Sequence, residues 1–144
     1  ENARRGAPRR TRYDGATAQR PEEVFFHHVR IDAGGMSLAA LADDEFGVAV
    51  EWDARQAPYL TQWKNFRQTL YLNGVEPGNC LPEGLNRARR EGRLVRLEPG
   101  ATRTMRSRIT VLPDRTAVAA VRRRVADLDV HGAPAAVHLA DYAA

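Results

Sequence analysis

Two neighbouring segments decide the fold of this chain: Tyr59-Leu-Thr-Gln-Trp63, and Thr69-Leu-Tyr-Leu-Asn-Gly-Val75 with the Glu76-Pro-Gly78 that follows it. The first comes directly after Pro58 and is short and aromatic. The second alternates bulky apolar residues with polar ones before it reaches Pro77-Gly78. Both patterns are typical of β-strands. They predict two strands, with Glu76 at the end of the second.

Further strands are indicated on the N-terminal side of this pair. The segment Glu22–Arg30 is dense in aromatic and β-branched residues, Ser37–Ala42 follows a turn at Gly34-Gly35, and Val48–Trp52 alternates between two faces. Short strands separated by turn residues favour an antiparallel arrangement. We therefore predict that these three strands form a meander.

The C-terminal side predicts a long loop and then a hairpin. Leu81–Arg93 mixes proline, glycine and charged residues, with one helical turn expected at Asn86–Arg90. Arg93–Leu97 and Thr102–Leu112 flank Glu98-Pro-Gly-Ala101, which is typical of a tight turn. Two antiparallel strands joined by this turn are predicted.

A helix is predicted after Pro113. Val118, Val121, Val125 and Leu128 recur at helical spacing, and Asp114 is placed to cap the first turn. The helix should end before Gly132.

These elements predict a mainly β fold with antiparallel strands and a short C-terminal helix. We divide the chain into a disordered or linker-like arm (1–20), a β-strand region (21–112), and a C-terminal helix and tail (113–144). A chain of 144 residues with 43% hydrophobic residues suffices for one core. Because it opens on Glu1 and an arginine-rich run, we expect it to be a fragment of a longer protein, with a processed N-terminus as the alternative.

Composition also bears on location and partners. No stretch approaches the roughly 20 apolar residues that span a bilayer, and the single cysteine, Cys80, excludes an internal disulfide. We therefore predict a cytoplasmic protein with no membrane partner. The net charge of +4 raises the possibility of nucleic acid. However, Lys64 is the only lysine among 22 basic residues, and the concentrated clusters are only Arg4–Arg12 and Arg122–Arg124, so solvated termini are the favoured interpretation.

A succession of motifs resembles a known superfamily. In chain order these are Gln62-Trp-Lys64, Tyr71-Leu-Asn-Gly-Val-Glu-Pro-Gly-Asn-Cys80, Gly92-Arg-Leu94 and Leu97-Glu-Pro-Gly100. The order is similar to the C-terminal half of an uncharacterised, mutarotase-like branch of the aldose 1-epimerase (galactose mutarotase) superfamily. There, a tryptophan-bearing strand precedes a strand ending in Gly-x-Glu-Pro-x-Asn, an arginine-bearing loop and a Leu-x-Pro-Gly hairpin. The resemblance covers Glu22–Leu112.

The resemblance implies that residues 21–112 form a sugar-binding antiparallel β-sandwich, part of a galactose-mutarotase-like supersandwich in which a glutamate on a late strand faces the sugar pocket. By position that residue is Glu76. In mutarotases such a carboxylate removes the proton from the anomeric hydroxyl while a histidine protonates the ring oxygen. That histidine lies upstream of the region that this chain resembles. The implied activity is aldose anomer interconversion on a small-molecule carbohydrate.

The residues around Glu76 independently suit a chemical role. Gly74, Pro77 and Gly78 would hold the carboxylate on rigid backbone with little side-chain bulk nearby, so a ligand hydroxyl could approach. Burial against an aromatic side chain, from Tyr59, Trp63 or Tyr71, would tune it for proton transfer. The alternative is a solvent-facing glutamate in a turn.

Other residues are candidates for substrate binding. Trp63 could stack on the C–H face of a sugar or could belong to the core. His27 and His28 are adjacent, so that on a strand they face opposite sides, and either could enter a pocket or be a satisfied sheet histidine.

The loop after Glu76 adds Asn79, Arg87 and Arg89 as hydroxyl or anion partners, with solvated loop charges as the alternative. The sequence departs from the superfamily pattern at Leu85, where an arginine is expected, and at Ala101, where a glutamate is frequent.

No metal or organic cofactor is predicted, because the Asp, Glu and His residues lack a recognisable ligand spacing. Two alternatives to the isomerase stay open: a non-catalytic sugar-binding module, and a basic nucleic-acid-binding protein. Open sheet edges of a partial sandwich would favour a homodimer.

Overall fold

A computed structural model describes residues 10–134, and its central feature is the hairpin of β5 (Tyr59–Arg67) and β6 (Leu70–Gly78). Strand β1 (Glu23–His27) pairs with the other side of β5, giving the order β1-β5-β6 with antiparallel neighbours. Strand β6 continues through Pro77 to Gly78, beyond the predicted end at Val75. Because β6 is an edge strand, the missing N–H of a proline need not interrupt the ladder.

A second three-stranded antiparallel sheet has the order β3-β4-β7, from Met36–Ala42, Gly47–Asp53 and Ser107–Leu112. Strands β3 and β4 pair antiparallel, as the last two strands of the predicted meander were expected to do. The predicted three-strand meander is wrong, because β1 pairs with β5 rather than with β3.

The chain changes sheets at the turn before β3. The carboxylate of Asp32 accepts hydrogen bonds from the N–H groups of Gly34 and Met36, at 2.8 and 2.9 Å. The short strand β2 (Arg30–Ile31) leads into this turn. It pairs with β8 (Ala133–Pro134) and with neither of the three-stranded sheets.

The predicted hairpin around Glu98–Ala101 is half right. The turn forms, with the N–H of Ala101 donating to the carbonyl of Glu98 at 2.9 Å and Gly100 at a φ of 78°. However, residues 93–97 form no strand, and β7 pairs with β4. Arg93 instead forms ion pairs with Glu83 and Glu91, which hold that end of the segment on the loop around α1 (Leu85–Arg90). Helix α1 confirms the predicted helical turn.

Helix α2 (Arg115–His131) confirms the predicted C-terminal helix, with its start after Asp114 and its end before Gly132, although 17 residues do not make it short. The carboxylate of Asp114 accepts a hydrogen bond from the N–H of Ala117 at 2.8 Å, as a helix cap does. Val118 and Val121 are its buried residues. They pack against one face of the β3-β4-β7 sheet, in a cluster that includes Leu38, Ala49 and Leu112.

A second core cluster connects the two sheets. Trp52 is only 1% exposed and packs with Val29, Ala54 and Ala57. Leu60 of β5 packs against the same cluster. The fold is therefore mainly β, with antiparallel sheets and a C-terminal helix.

Part of the N-terminal arm contacts the β1-β5-β6 sheet. The ammonium of Lys64 donates to the carbonyl of Arg12 at 3.1 Å, and the hydroxyl of Tyr71 donates to the carbonyl of Asp14 at 2.7 Å. Residues 1–9 and 135–144 lie outside the described residues, so the arm and tail predicted there stay predictions. Within 10–134, no helix has the length and apolar character needed to cross a membrane.

Candidate functional site

Glu76 and Trp63 lie on the same face of the β1-β5-β6 sheet. Glu76 is directly opposite Thr61 across the β5–β6 ladder, and Gly74 is directly opposite Trp63. Residues opposite each other in an antiparallel pair share a face, as do residues two apart on one strand. These four residues define what we call the Glu76 face.

The carboxylate of Glu76 folds back over Gly74. A Cβ atom built on Gly74 would overlap Oε1 of Glu76, so a side chain at position 74 would displace the carboxylate. The backbone of Gly74 does not have a positive φ. The absence of a side chain, rather than an unusual backbone conformation, is therefore what the glycine provides here.

The expectation that an aromatic side chain buries Glu76 is wrong. Glu76 is an exposed residue, and Trp63 is half-buried. Tyr71, one of the aromatic residues expected to cover it, is directly opposite Phe66 and stacks on that ring with centroids 4.4 Å apart. This stack lies on the other face of the sheet, because register places Tyr71 and Glu76 on opposite sides of β6.

The indole of Trp63 is hydrogen-bonded at its edge. Its Nε1–H donates to Oε2 of Glu22 at 3.1 Å, and Oε1 of Glu22 accepts from Nδ2 of Asn65 at 3.2 Å. Asn65 is 1% exposed. One carboxylate therefore satisfies both an indole N–H and a buried amide.

His27 lies on the opposite face of the same sheet. It is directly opposite Leu60, and its Nε2 is 3.0 Å from Oε1 of Gln62. The amide of Gln62 also donates to Tyr13 and Asn73, at 3.1 and 3.0 Å. Register separates this group from Glu76 by the thickness of the sheet. One sugar ring cannot contact both.

A cleft of about 780 Å³ lies on the His27 side. We call it the His27 cleft; its lining includes His27, His28, Gln62, Asn73, Val48 and Trp52, and it does not include Glu76. His28 follows the end of β1 and is exposed. The structure thus places both candidate histidines beside the cleft and away from the Glu76 face.

Burial lowers the pKa of His27 below its ordinary value of 6.5, and the nearby Arg10 and Lys64 lower it further, while the hydrogen bond to Gln62 acts in the opposite direction. Between the folded pKa of His27 and 6.5, the folded chain therefore binds fewer protons at this residue than the unfolded chain does. The contribution of neutral His27 to stability is present above pH 6.5 and is lost as the pH falls through the folded pKa.

We accordingly expect His27→Asn, which keeps a polar partner for Gln62, to reduce the loss of stability on acidification. The measurement is urea unfolding at about pH 7.5 and about pH 5.5, the range in which histidine titrates. His28→Asn is the matched control, because His28 is exposed. An equal loss in wild type and His27→Asn would show that His27 is not responsible.

The predicted loop residues have different surroundings. Asn79 directly follows β6 and is half-buried. Nε of Arg87 is 2.8 Å from Oε1 of Glu91 and 3.5 Å from Oε2 of Glu83. Arg89 is exposed on α1. Arg87 is thus already engaged with acidic neighbours.

Glu22 was not singled out by the sequence, and Gln62 was noted only as the first residue of the Gln62-Trp63-Lys64 motif and not as a site residue. The partners of both depend on the register of β1, β5 and β6. Within residues 10–134, no group of three or more His, Cys, Asp or Glu side chains is arranged to hold a metal ion.

Comparisons with known proteins agree with the fold. Residues 1–111 match the family model described as "Domain of unknown function (DUF4432)". The chain is similar, at 32% identity and a TM-score of 0.81, to the crystal structure of a "putative aldose 1-epimerase" from Klebsiella pneumoniae subsp. pneumoniae MGH 78578. The match covers 88% of this chain and 34% of that protein, so the chain spans about a third of its length. No curated protein matches the chain. The chain belongs to the DUF4432 family, and its fold is that of the mutarotase-like aldose 1-epimerase superfamily.

Proposed function

We propose that this chain carries the general base of a mutarotase-like isomerase, with Glu76 taking the proton from the anomeric hydroxyl of an aldose. The observation that supports this role is the position of the Glu76 carboxylate: it lies over Gly74, on the face it shares with Trp63, and is open to solvent. A ligand hydroxyl can therefore reach the carboxylate without first displacing a side chain at position 74. The similarity to an aldose 1-epimerase supports the same role.

The proposed reaction moves two protons and breaks one bond. Glu76 accepts the proton of the anomeric hydroxyl, an acid donates a proton to the ring oxygen, and the bond between C1 and the ring oxygen breaks. The open-chain aldehyde rotates about its C1–C2 bond, and the reverse steps close the ring as either anomer. The chemistry requires an acceptor and a donor held on either side of the breaking bond.

The acid of this reaction is proposed to come from outside residues 10–134. Of the three histidines in this range, His27 and His28 line the His27 cleft and His131 lies in the last turn of α2. None of them is on the Glu76 face. A chain that spans about a third of a similar protein is consistent with an acid supplied elsewhere.

Trp63 and Asn79 are the substrate-binding candidates that we retain beside Glu76. Trp63 would stack on the apolar face of a sugar ring, and Asn79 follows the strand that bears Glu76. Arg87, Arg89, His27 and His28 have less support, because Arg87 is engaged with Glu83 and Glu91 and the histidines lie beside the cleft.

A non-catalytic sugar-binding module is the second candidate, and the position of the described histidines off the Glu76 face favours it. A nucleic-acid binder has less support than either. Within the cluster 122–124, Arg122 is paired with Asp44 at 2.9 Å and Arg124 is paired with Glu51, so much of its charge is neutralised locally.

A homodimer is also kept as a proposal. Strand β7 is an edge strand of its sheet, and its side chains of Ile109 and Val111 are 73% and 57% exposed. Edges of this kind favour pairing with another chain.

Anomer exchange measured by proton NMR over a panel of aldoses tests the proposed function. A mutarotase accelerates the exchange of at least one sugar, whereas a binding module gives saturable binding without acceleration. A chain that neither accelerates exchange of any aldose in the panel nor binds one would refute both candidates.

We expect Gly74→Ala to lower kcat/KM for anomer exchange by about 100-fold, because the new Cβ displaces the Glu76 carboxylate from its position. The control is Gly15→Ala, a position where an added Cβ would meet nothing among the described residues within 4 Å. Equal rates for the two variants would show that the carboxylate position over residue 74 is not used.

A further inference from the structure

We infer that Glu22 is a positioning residue, which holds the indole of Trp63 so that a ring face is presented to a sugar beside Glu76. The inference rests on the proposed function for its ligand. Its structural basis is the pair of hydrogen bonds from Trp63 and Asn65 to the two oxygens of the Glu22 carboxylate.

The position of Glu22 in the chain explains how it reaches Trp63. Glu22 immediately precedes β1, whose first residue, Glu23, is opposite Lys64. Continuing this antiparallel register places Glu22 opposite Asn65, on the same face as Trp63 and Glu76. The carboxylate therefore meets the indole edge from the neighbouring strand.

The hydrogen bond restricts what Trp63 can offer to a ligand. An indole has a single N–H donor and no acceptor. Because Glu22 occupies that donor at 3.1 Å, the remaining contact surface of the indole is apolar. Aromatic faces of this kind stack on the C–H faces of sugars.

Gly74 leaves room for this arrangement. It is directly opposite Trp63 and has no side chain, and the atoms that a Cβ at position 74 would meet first are those of the Glu76 side chain. Glu22 and Glu76 thus have different roles at one surface. Glu22 orients the stacking ring, and Glu76 carries the proton.

Asn65 makes the arrangement rigid. Because Asn65 is 1% exposed, its amide cannot form a hydrogen bond with water when Glu22 is absent. The amide therefore holds the Glu22 carboxylate from the buried side. A glutamine at position 22 has one carbonyl oxygen and can accept from Asn65 or Trp63 but cannot reproduce two carboxylate acceptors. Because the buried amide of Asn65 has no access to water, we expect the glutamine oxygen to stay with Asn65, which makes Glu22→Gln the mildest change that releases the indole.

The first readout is the indole N–H region of a proton–nitrogen NMR spectrum of the sugar-free chain. The sequence has two tryptophans, so two signals are expected, and Trp52→Phe assigns them. The Trp52 signal is an internal control, because that N–H donates to the carbonyl of Ala57 at 2.9 Å in the core. In Glu22→Gln and Glu22→Ala we expect the Trp63 signal to move and the Trp52 signal to stay.

The second readout is aldose affinity, from titrations followed on the Trp63 signal and on backbone amide signals. We expect Glu22→Gln to weaken binding about tenfold while the thermal midpoint stays close to that of the control Glu98→Gln. Glu98 is an exposed residue of the turn before β7. Where exchange is measurable, KM should rise with little change in kcat, since stacking stabilises ground and transition states alike.

The outcomes separate this inference from the proposed function. An unmoved Trp63 signal in both Glu22 variants, or unchanged aldose affinity despite a moved signal, would overturn the positioning role while leaving Glu76 untouched. A wild-type chain that binds no aldose would overturn the proposed function and the ligand part of the inference, whereas the indole shift would still report the bond to Glu22.

Discussion

Replacing Glu76 by glutamine is expected to lower the rate of anomer exchange by about 10²- to 10⁴-fold, the usual contribution of a general base. Glutamine has nearly the shape of glutamate and still offers a hydrogen-bond acceptor, but it cannot take the anomeric proton. Because the side chain is exposed, its removal leaves no buried charge or amide unsatisfied. The loss should therefore appear in kcat with folding and sugar binding retained.

The matched control for this variant is Glu98→Gln, since Glu98 accepts the turn-closing bond only through its backbone carbonyl. Exchange rates are compared by proton NMR at saturating aldose. A Glu76→Gln chain with the wild-type rate would mean that another group removes the proton.

Trp52→Ala is expected to lower the free energy of unfolding by about 3–5 kcal/mol, as removal of a buried large aromatic side chain does. Trp52 is 1% exposed, and it belongs to the cluster against which Leu60 of the other sheet packs. Its truncation both opens a cavity and removes the indole donor to the carbonyl of Ala57. The loss is a large share of the stability of an ordinary domain.

Trp63→Ala is the control for the core prediction, with a smaller expected loss of about 1 kcal/mol because this residue is half-buried and its N–H partner is exposed. Urea unfolding followed by circular dichroism measures both variants. Equal losses in the two variants would contradict the assignment of Trp52 to the shared core and Trp63 to the Glu76 face.

The sequence predicted the elements better than their pairing. Alternation identified β4 and β6, a short aromatic run after Pro58 identified β5, and the cap at Asp114 with the spacing of Val118 and Val121 identified α2. These signals are local, so they survive without knowledge of the tertiary structure. The pairing of β1 with β5 is not local. It depends on the redirection of the chain at Asp32, which the pattern of apolar residues does not encode.

For the site as well, local signals could be predicted and features that depend on strand pairing could not. The candidate status of Glu76 and Trp63 came from the motif that they share, and register then placed them on one face. The separation of His27 from Glu76 could not be predicted, because a shift of one residue in register would exchange the faces. The hydrogen bond from Trp63 to Glu22 joins residues 41 positions apart and depends on that register as well.

An NMR titration of the chain with an aldose shows most directly which face binds the sugar, when it follows the indole signal of Trp63, the amide signal of Gly74 and the ring signals of His27. The Glu76 face and the His27 cleft lie on opposite sides of one sheet, so the two sets of signals distinguish the sites. We expect saturable shifts of the Trp63 and Gly74 signals with unchanged His27 signals. Shifts confined to His27 and its neighbours would place the sugar in the cleft and contradict the assignment of Glu76 as its base.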